Sequence, residues 1–142
     1  MILKTVGIVS FLLLCSSPAL ATPQPLIKPL FTASRSPGGR VVSYPKGIPE
    51  MRVHRITILV GAKVSWHIHP SPVVVVVEKA RLSNVRIIDG VEVSETLESG
   101  EGFLEGHPAE PHYVINRGIR PVVSLVTFAS VEGMPNQIQL RP

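Results

Sequence analysis

The stretch Gly61–Glu78, which reads GAKVSWHIHPSPVVVVVE, constrains the fold more than any other part of the sequence. It contains five consecutive valines, Val73–Val77, and β-branched residues favour an extended strand over a helix. An unbroken apolar run of this length predicts a strand that is buried on both faces. The prolines and charged residues on either side of the run protect such a strand from aggregation. The centre of the chain is therefore expected to be β structure.

Two histidines that lie two residues apart, His67 and His69, precede the valines. Residues i and i+2 of a strand point to the same face, so both imidazoles are expected on one side. Val64, Trp66 and Ile68 are then expected on the other side, as packing residues. Two neutral imidazoles held together form half of a transition-metal site. Two solvated polar side chains on a half-buried strand are the alternative.

Short strands separated by turn residues continue along the chain from Met51. Asp89-Gly90 favours a type I′ turn, so the segments on either side of it are predicted to form a hairpin. No segment combines a helical period with capping residues. Eight or nine short strands predict an all-β barrel or sandwich. The predicted strands outside Gly61–Glu78 are Arg52–Val60, Arg81–Ile88, Val91–Leu97, Gly102–Glu105, His112–Asn116 and Pro121–Ala129.

The segment Met1–Ala21 has the three parts of a secretory signal peptide. Lys4 supplies the positive start, Val6–Leu14 the apolar centre and Ala19-Leu20-Ala21 the cleavage site. We expect cleavage after Ala21 and a periplasmic or secreted protein. Cys15 is the only cysteine, so the mature chain would contain neither a disulfide nor a thiolate ligand.

Size and charge narrow the possible partners of the mature chain. Removal of 21 of the 142 residues leaves 121, enough for one domain with one hydrophobic core. The mature chain would carry 13 basic and 10 acidic side chains, a net charge of +3. These charges are scattered and aromatic residues are few, so we expect no nucleic-acid partner. No later segment is long and apolar enough to span a membrane, and a small molecule is the expected partner.

The segment Thr22–Glu50 is rich in proline and glycine, which disfavour helix interiors and central strands. It is predicted to be an extended arm with one short strand near Arg40–Tyr44. Its apolar residues predict packing along an outer edge of the barrel, and a disordered linker is the alternative. Those residues are Leu26, Ile27, Leu30 and Phe31. The predicted organisation is a signal peptide (1–21), an arm (22–50), a barrel (51–130) and a C-terminal tail (131–142).

Two sets of residues resemble the paired motifs of the cupins, a superfamily of small β-barrels. Gly61 and the His67-x-His69 pair are similar to the first cupin motif, G-x5-H-x-H-x3–4-E-x6-G. His112 and Asn116 are similar to the H-x3-N end of the second motif. The resemblance implies a single-domain, cupin-type double-stranded β-helix, a jelly-roll-like barrel, after the N-terminal arm. Cupins often pair through sheet edges, so it also implies a homodimer.

The chain departs from the cupin motifs at several positions. Val73 or Val74 stands where the first motif has a glutamate, and Ala80 stands at its closing glycine. His107 and Ala109 stand at the proline and glycine of the second motif. Two further segments are similar to a group of small exported cupins, most of which also lack that glutamate. These segments are Tyr44-Pro45-Lys46-Gly47 and Gly133-Met134-Pro135-Asn136.

The resemblance implies that His112 enters the barrel beside His67 and His69. Three imidazoles with open positions suit one divalent transition-metal ion, namely iron, copper, nickel, zinc or manganese. Glu105 is the first candidate for a fourth ligand, because it ends the apolar strand Gly102–Glu105; a strand-end residue facing water is its alternative. His107 is a second candidate, and a site of three histidines alone also occurs among cupins.

Three functions are compatible with this pattern. The first is a metal-dependent enzyme, specifically an oxygenase acting on a small and partly apolar molecule inside a barrel lined by valine, isoleucine and Trp66. The second is a module that binds a small molecule without catalysis. The third is a structural remnant, against which the histidine pattern counts. The sequence identifies no catalytic acid or base. His54, on the first long strand, is expected to be a packed or surface residue.

Overall fold

The computed structural model describes residues 22–141, so the predicted signal peptide, Met1–Ala21, lies outside the described residues. Within them the regular structure is entirely β, and no helix is long and apolar enough to cross a membrane. Five strands of the first half are β1 (Pro49–Ile58), β2 (Lys63–Ile68), β3 (Val73–Lys79), β4 (Leu82–Ile88) and β5 (Val91–Leu97). The others are β6 (Gly102–Glu105), β7 (His112–Ile115), β8 (Val122–Val131) and β9 (Ile138–Gln139).

The strands form two antiparallel sheets that enclose one hydrophobic core. One sheet has the order β1-β8-β3-β6 and the other the order β5-β4-β7-β2-β9. Side chains alternate between the two faces of each strand, so one face of each sheet supplies the core. This arrangement confirms the all-β prediction. The buried core residues are Ile58, Val73, Val75, Val77, Leu82, Leu97, Phe103, Val122, Val126 and Phe128.

The five-valine strand β3 lies inside its sheet, between β8 and β6. Val73, Val75 and Val77 face the core and are at most 5% exposed. Val74 and Val76 point to the opposite face and are only partly buried. The sequence therefore predicted the strand correctly but overstated the burial of its outer face.

A β-bulge in β2 changes which of its residues face the core. Val64 pairs with Val114 and His67 pairs with His112, so β2 uses one residue more than β7 over this interval. As a result Val64 packs against the core on the same side as His67. The expectation that Val64 would share a face with Trp66 is therefore wrong. Trp66 lies on the outside of the sheet, where its ring meets that of Tyr113 edge-on at 4.7 Å.

Two tight turns have the backbone that their sequences require. Asp89 and Gly90 have φ values of 49° and 79°, as a type I′ turn demands, and they join β4 to β5 in the predicted hairpin. Ala80, at the position of the first cupin motif's closing glycine, has a φ of 61°. The backbone there adopts the left-handed conformation that glycine favours.

Asn116 connects the β1–β2 turn to the β7–β8 turn from a fully buried position. Its Nδ2 donates hydrogen bonds to the carbonyls of Ile58 and Arg120, at 2.9 Å and 2.8 Å. Its Oδ1 accepts a hydrogen bond from the amide of Gly118 at 2.9 Å. The Asn116 carbonyl also accepts from the amide of Gly61 at 2.9 Å. The asparagine of the second motif thus links the segments that carry the two motifs through its hydrogen bonds.

The N-terminal arm differs from its prediction in two respects. The predicted strand near Arg40–Tyr44 does not form, and the pairing there is a single bridge between Arg35 and Val41. Leu26 and Ile27 are 100% and 85% exposed, so the apolar patch does not pack as expected. Prolines remove the amide donors that would let this segment join a sheet edge. The side chain of Phe31 does approach the barrel, with its Cβ beside Gly102 of β6.

The arm is fastened to the barrel through the buried carboxylate of Glu110, which is 7% exposed. The hydroxyl of Ser36 donates a hydrogen bond to Glu110 Oε1 at 2.7 Å. The guanidinium of Arg40 lies 3.6 Å from the same oxygen. Gly38 packs so closely on this carboxylate that a Cβ atom at Gly38 would overlap it. The arm is therefore attached to the barrel mainly through the turn that contains Ser36 and Gly38, whereas Leu26 and Ile27 are exposed.

We expect Gly38→Ala to loosen the arm, because the added methyl group overlaps the Glu110 carboxylate. The carboxylate can move aside only by giving up its hydrogen bond from Ser36, and a hydrogen bond to a charged group is worth about 1.5–3 kcal/mol. The melting temperature should fall by several degrees, and limited proteolysis should cut within residues 22–48 more readily. Leu26→Ser is the matched control in the same arm, since Leu26 is fully exposed. Equal melting temperatures and cleavage rates for Gly38→Ala and the unaltered protein would contradict this attachment.

Candidate metal centre

Three histidines from two neighbouring strands meet inside the barrel. His67 is in β2, His69 follows the end of that strand, and His112 begins β7 directly opposite His67. Their ring centroids are 4.3–5.1 Å apart and each residue is at most 4% exposed. One ring nitrogen of each lies within 4.8 Å of those of the other two. The three imidazoles that the sequence singled out are thus brought together in a buried cluster.

Each imidazole is oriented by a hydrogen bond between its Nδ1 atom and a backbone carbonyl. The distances are 2.7 Å from His67 to Ser65, 2.7 Å from His69 to Asn136 and 3.1 Å from His112 to Glu110. A carbonyl oxygen can only accept, so each Nδ1 must carry the proton. In the neutral form the lone pair is then on Nε2. This is the arrangement by which metal-binding histidines are held in proteins.

Glu105 ends β6 with its carboxylate against two of these imidazoles. Its Oε2 lies 3.3 Å from His69 Nε2 and its Oε1 lies 3.1 Å from His112 Nε2. The residue is 7% exposed, so it does not face water as the alternative interpretation required. The amide of Asn84 donates a further hydrogen bond to Oε1 at 3.0 Å. A buried carboxylate with these contacts can act as a fourth ligand or as an ion-pair partner.

The other histidines lie outside the cluster. His107 is partly buried in the loop after β6, and its Nδ1 accepts a hydrogen bond from the amide of Ala109 at 3.2 Å. His54 is exposed on β1, with its ring against Phe128 at 5.3 Å between centroids. The structure therefore brings His67, His69 and His112 together. Glu105 contacts two of them, whereas His107, the second candidate for the fourth position, lies outside the group.

Sequence reasoning missed residues that hold the cluster in place. Asn136 supplies the carbonyl for His69, and its side-chain Oδ1 accepts a hydrogen bond from Arg52 at 2.8 Å. Arg52 also donates a hydrogen bond to the carbonyl of Met134. Arg52 is in β1, so this strand holds the loop that contains Met134 and Asn136. A signal for Asn136 was present in the segment Gly133-Met134-Pro135-Asn136. For Asn84 the only signal in the sequence was a polar residue within a predicted strand.

In the metal-free cluster the pKa values of Glu105, His112 and His67 are all shifted from their ordinary values. Burial raises the pKa of Glu105, but His112 and His69 outweigh it and hold that pKa well below its ordinary value. Burial lowers the pKa of His112, but the charge and hydrogen bond of Glu105 outweigh it, so the pKa is raised. Burial, followed by the charge on His112, lowers the pKa of His67 to about 4. His67 is therefore neutral where His112 is charged.

A cavity of about 60 Å³ adjoins the cluster inside the barrel. It reaches His67, His69 and Glu105, and among the other described lining residues Ser124 and Gln137 are polar. Trp66, which was expected to line the barrel, is outside it. The apolar residues of the lining are Ile56, Ile58, Val64, Val75, Leu82, Val114, Val126 and Phe128. The cluster thus has one side open to a small, mostly apolar space.

The comparisons with known proteins found similar structures but no matching sequence family. No model of a known protein family and no curated protein matches the chain. The oxalate decarboxylase of Lactobacillus farciminis, in complex with formate, matches with a TM-score of 0.55 and 16% identity. The oxalate decarboxylase of Bacillus subtilis, described with its Mn(II) centres, matches with a TM-score of 0.55 and 21% identity. This chain has the cupin fold.

The similarity extends to a plant protein and covers only part of each relative. Vicilin of hazelnut, Corylus avellana, matches with a TM-score of 0.53 and 17% identity. The matches cover 62–63% of this chain and about a quarter of the larger chains, at 26%, 24% and 25% of their length. At these identities the similarity concerns the fold alone.

The structure shows what lies beside the position at which this chain departs from the first cupin motif. Val73 occupies a place where the motif has a glutamate, and Glu105 of β6 pairs directly with Val73 of β3. The carboxylate of Glu105 therefore comes from the neighbouring strand at the same level of the barrel. Gly106, with a φ of 117°, follows it and packs against the backbone of Ser71, where no Cβ atom would fit. The close approach of this glycine sets the end of β6.

The metal-free protein should lose stability as the pH falls from about 6.5 to about 4. Unfolded His67 takes up a proton near pH 6.5, whereas folded His67 does so only near pH 4, so acid favours the unfolded chain. The raised pKa of His112 stabilises the folded protein, and this contribution is fully present below pH 6.5, so it does not change as the pH falls further. The contribution of Glu105 is lost only below its ordinary value of 4.5. The loss is on the order of 2–3 kcal/mol.

Urea denaturation of chelator-treated protein between pH 4.5 and pH 7 measures this dependence. The His67→Gln variant removes the titrating group, and its free energy of unfolding should vary less over the same range. The same slope in both proteins would show that another group is responsible.

Proposed function

We propose that this cupin binds one divalent transition-metal ion through the Nε2 atoms of His67, His69 and His112, with Glu105 as the fourth ligand. The observation that carries the proposal is the orientation of the imidazoles. Each Nδ1 is held by a backbone carbonyl, and one nitrogen of each ring lies within 4.8 Å of the others. A structural polar cluster would not require three converging lone pairs.

The donor set of three imidazoles and one carboxylate suits the proposed ions. Iron, copper, nickel, zinc and manganese all accept imidazole nitrogen, and carboxylate oxygen suits manganese in particular. The similarity to an oxalate decarboxylase described with Mn(II) centres supports manganese as one candidate. Burial of the cluster shields the ion from water on all sides but that of the cavity.

We further propose that the protein is a metal-dependent enzyme of the oxygenase type, acting on a small molecule. A four-ligand site leaves coordination positions open, and a bound redox metal supplies activation of dioxygen there. The adjoining cavity supports this proposal, because it offers a place for a substrate next to those positions. Its apolar walls would exclude water from the reacting groups.

A binding module without catalysis is the second candidate. One observation favours it: outside the metal cluster, the described cavity lining contains no side chain that exchanges protons near neutral pH. Ser124 and Gln137 can donate or accept hydrogen bonds but cannot serve as a general base unaided. The identity of the bound metal separates the two functions. Iron or copper, together with dioxygen consumption, favours the oxygenase, whereas zinc favours binding.

The metal proposal predicts one bound ion per chain, measured by elemental analysis of protein purified without an affinity tag. His67→Ala, His69→Ala and His112→Ala should each lose most of the metal, because two imidazoles chelate an ion poorly. Glu105→Gln keeps the shape but loses the charge, and should weaken affinity by at least about 10–100-fold.

His54→Ala and His107→Ala are the matched controls, since both histidines lie outside the cluster. Both variants should retain the metal. Unchanged metal content in His112→Ala would refute the three-histidine site. Unchanged metal affinity in Glu105→Gln would show that the three histidines are the ligands and that Glu105 only contacts the imidazoles of His69 and His112.

We also propose that the protein is exported, in keeping with the three-part signal sequence of Met1–Ala21. The resemblance to cupins that pair through sheet edges supports a homodimer in the same compartment. N-terminal sequencing of protein from the periplasm or medium should begin at Thr22. Protein that retains Met1 there would contradict cleavage.

A further inference from the structure

The cavity contains one buried polar group whose hydrogen bond is not satisfied by the described residues. Ser124, in β8, is 2% exposed and lines the cavity, and its hydroxyl has no hydrogen-bond partner. A buried hydroxyl without a partner costs about 1–3 kcal/mol. A bound molecule with an oxygen atom at this position would remove that cost. Ser124 therefore points to a polar contact with a ligand.

The charges around the cavity indicate what kind of ligand it accepts. Glu105 is the only acidic residue of the lining, and no lysine or arginine is among the described lining residues. A carboxylate held away from the metal cluster would thus be buried without a cationic partner, which is strongly unfavourable. The walls instead offer eight apolar side chains, which favour an uncharged aliphatic body.

The size of the cavity restricts the ligand further. Its volume of about 60 Å³ is well below the roughly 150 Å³ of a cavity that holds benzene. One water-sized group takes up about 10–15 Å³ on this measure, so the cavity has room for about four to six non-hydrogen atoms. The cavity therefore fits a short aliphatic molecule.

We propose that the cavity binds a short, uncharged aliphatic molecule of about four to six non-hydrogen atoms, whose alcohol or ketone oxygen hydrogen-bonds to the hydroxyl of Ser124. The molecule shares the cavity with His69 and Glu105, so this assignment of a substrate class rests on the proposed function. Ser124 is a specificity-determining residue in this arrangement. It selects an oxygenated molecule over a plain hydrocarbon.

The experiment titrates the purified, metal-loaded protein with straight-chain primary alcohols of one to eight carbons, with binding followed by methyl NMR shifts. Each added CH₂ should tighten alcohol binding about fourfold up to about five carbons, where the cavity is full, and longer alcohols should bind no more tightly. Short alkanes, which lack the hydroxyl group, are titrated in parallel and should bind about 3–10-fold more weakly.

Ser124→Ala should weaken alcohol binding about 3–10-fold, the value of one hydrogen bond. Ser130→Ala is the matched control, because Ser130 is a buried serine with an unpartnered hydroxyl in the same strand but outside the cavity lining. Its affinity for alcohols should be unchanged. Val126→Phe should abolish binding by filling the cavity, in which Val126 is a lining residue.

The proposal is overturned if alkanes bind as tightly as alcohols, if Ser124→Ala binds alcohols as the unaltered protein does, or if no alcohol binds. Metal content measured on the same samples separates this proposal from the metal site. Alcohol binding in protein that holds no metal would count against the metal proposal alone. Full metal content without alcohol binding would overturn the ligand assignment alone.

Discussion

The antiparallel pairing of β2 with β7 is the interaction on which the candidate centre depends. It sets His67 directly opposite His112, and the bulge in β2 turns Val64 inward to form part of the adjoining cavity. Asn116 secures this pairing at the far end through its buried hydrogen bonds. A shift of one residue in register would move His67 to the other face, so the barrel and the site are specified together.

The buried carboxylate of Glu105 gives the cluster its charge. An isolated carboxylate would be costly in this interior, and two imidazoles together with the amide of Asn84 compensate it. A divalent ion among the same atoms would supply that compensation more completely. The position of Glu105 results from its pairing with Val73, so the charge reaches the histidines from a strand outside their own sheet.

The C-terminal segment reaches the histidines directly, and the N-terminal arm reaches them through Glu110. Asn136 supplies the carbonyl for His69, and Arg52 of β1 holds Asn136. The Glu110 side chain holds the arm, while the Glu110 carbonyl accepts the hydrogen bond of His112. The carbonyl partners of His67 and His112 lie two residues before them, so of the three imidazoles His69 is the one oriented by a distant segment. Loosening either segment should therefore disturb the centre without altering a ligand.

Local patterns in the sequence determined the strands, the Asp89-Gly90 hairpin and the shared face of His67 and His69, because each depends on near neighbours. The motif resemblance supplied His112 and the cupin fold. Tertiary structure decided the inward position of Val64, the exposure of Leu26, and the carbonyl partner of His69. These depend on a bulge, on unpaired prolines and on contacts between distant segments, which no local period encodes. The burial of Glu105 was likewise settled by strand register, since a carboxylate at a strand end can face either water or the core.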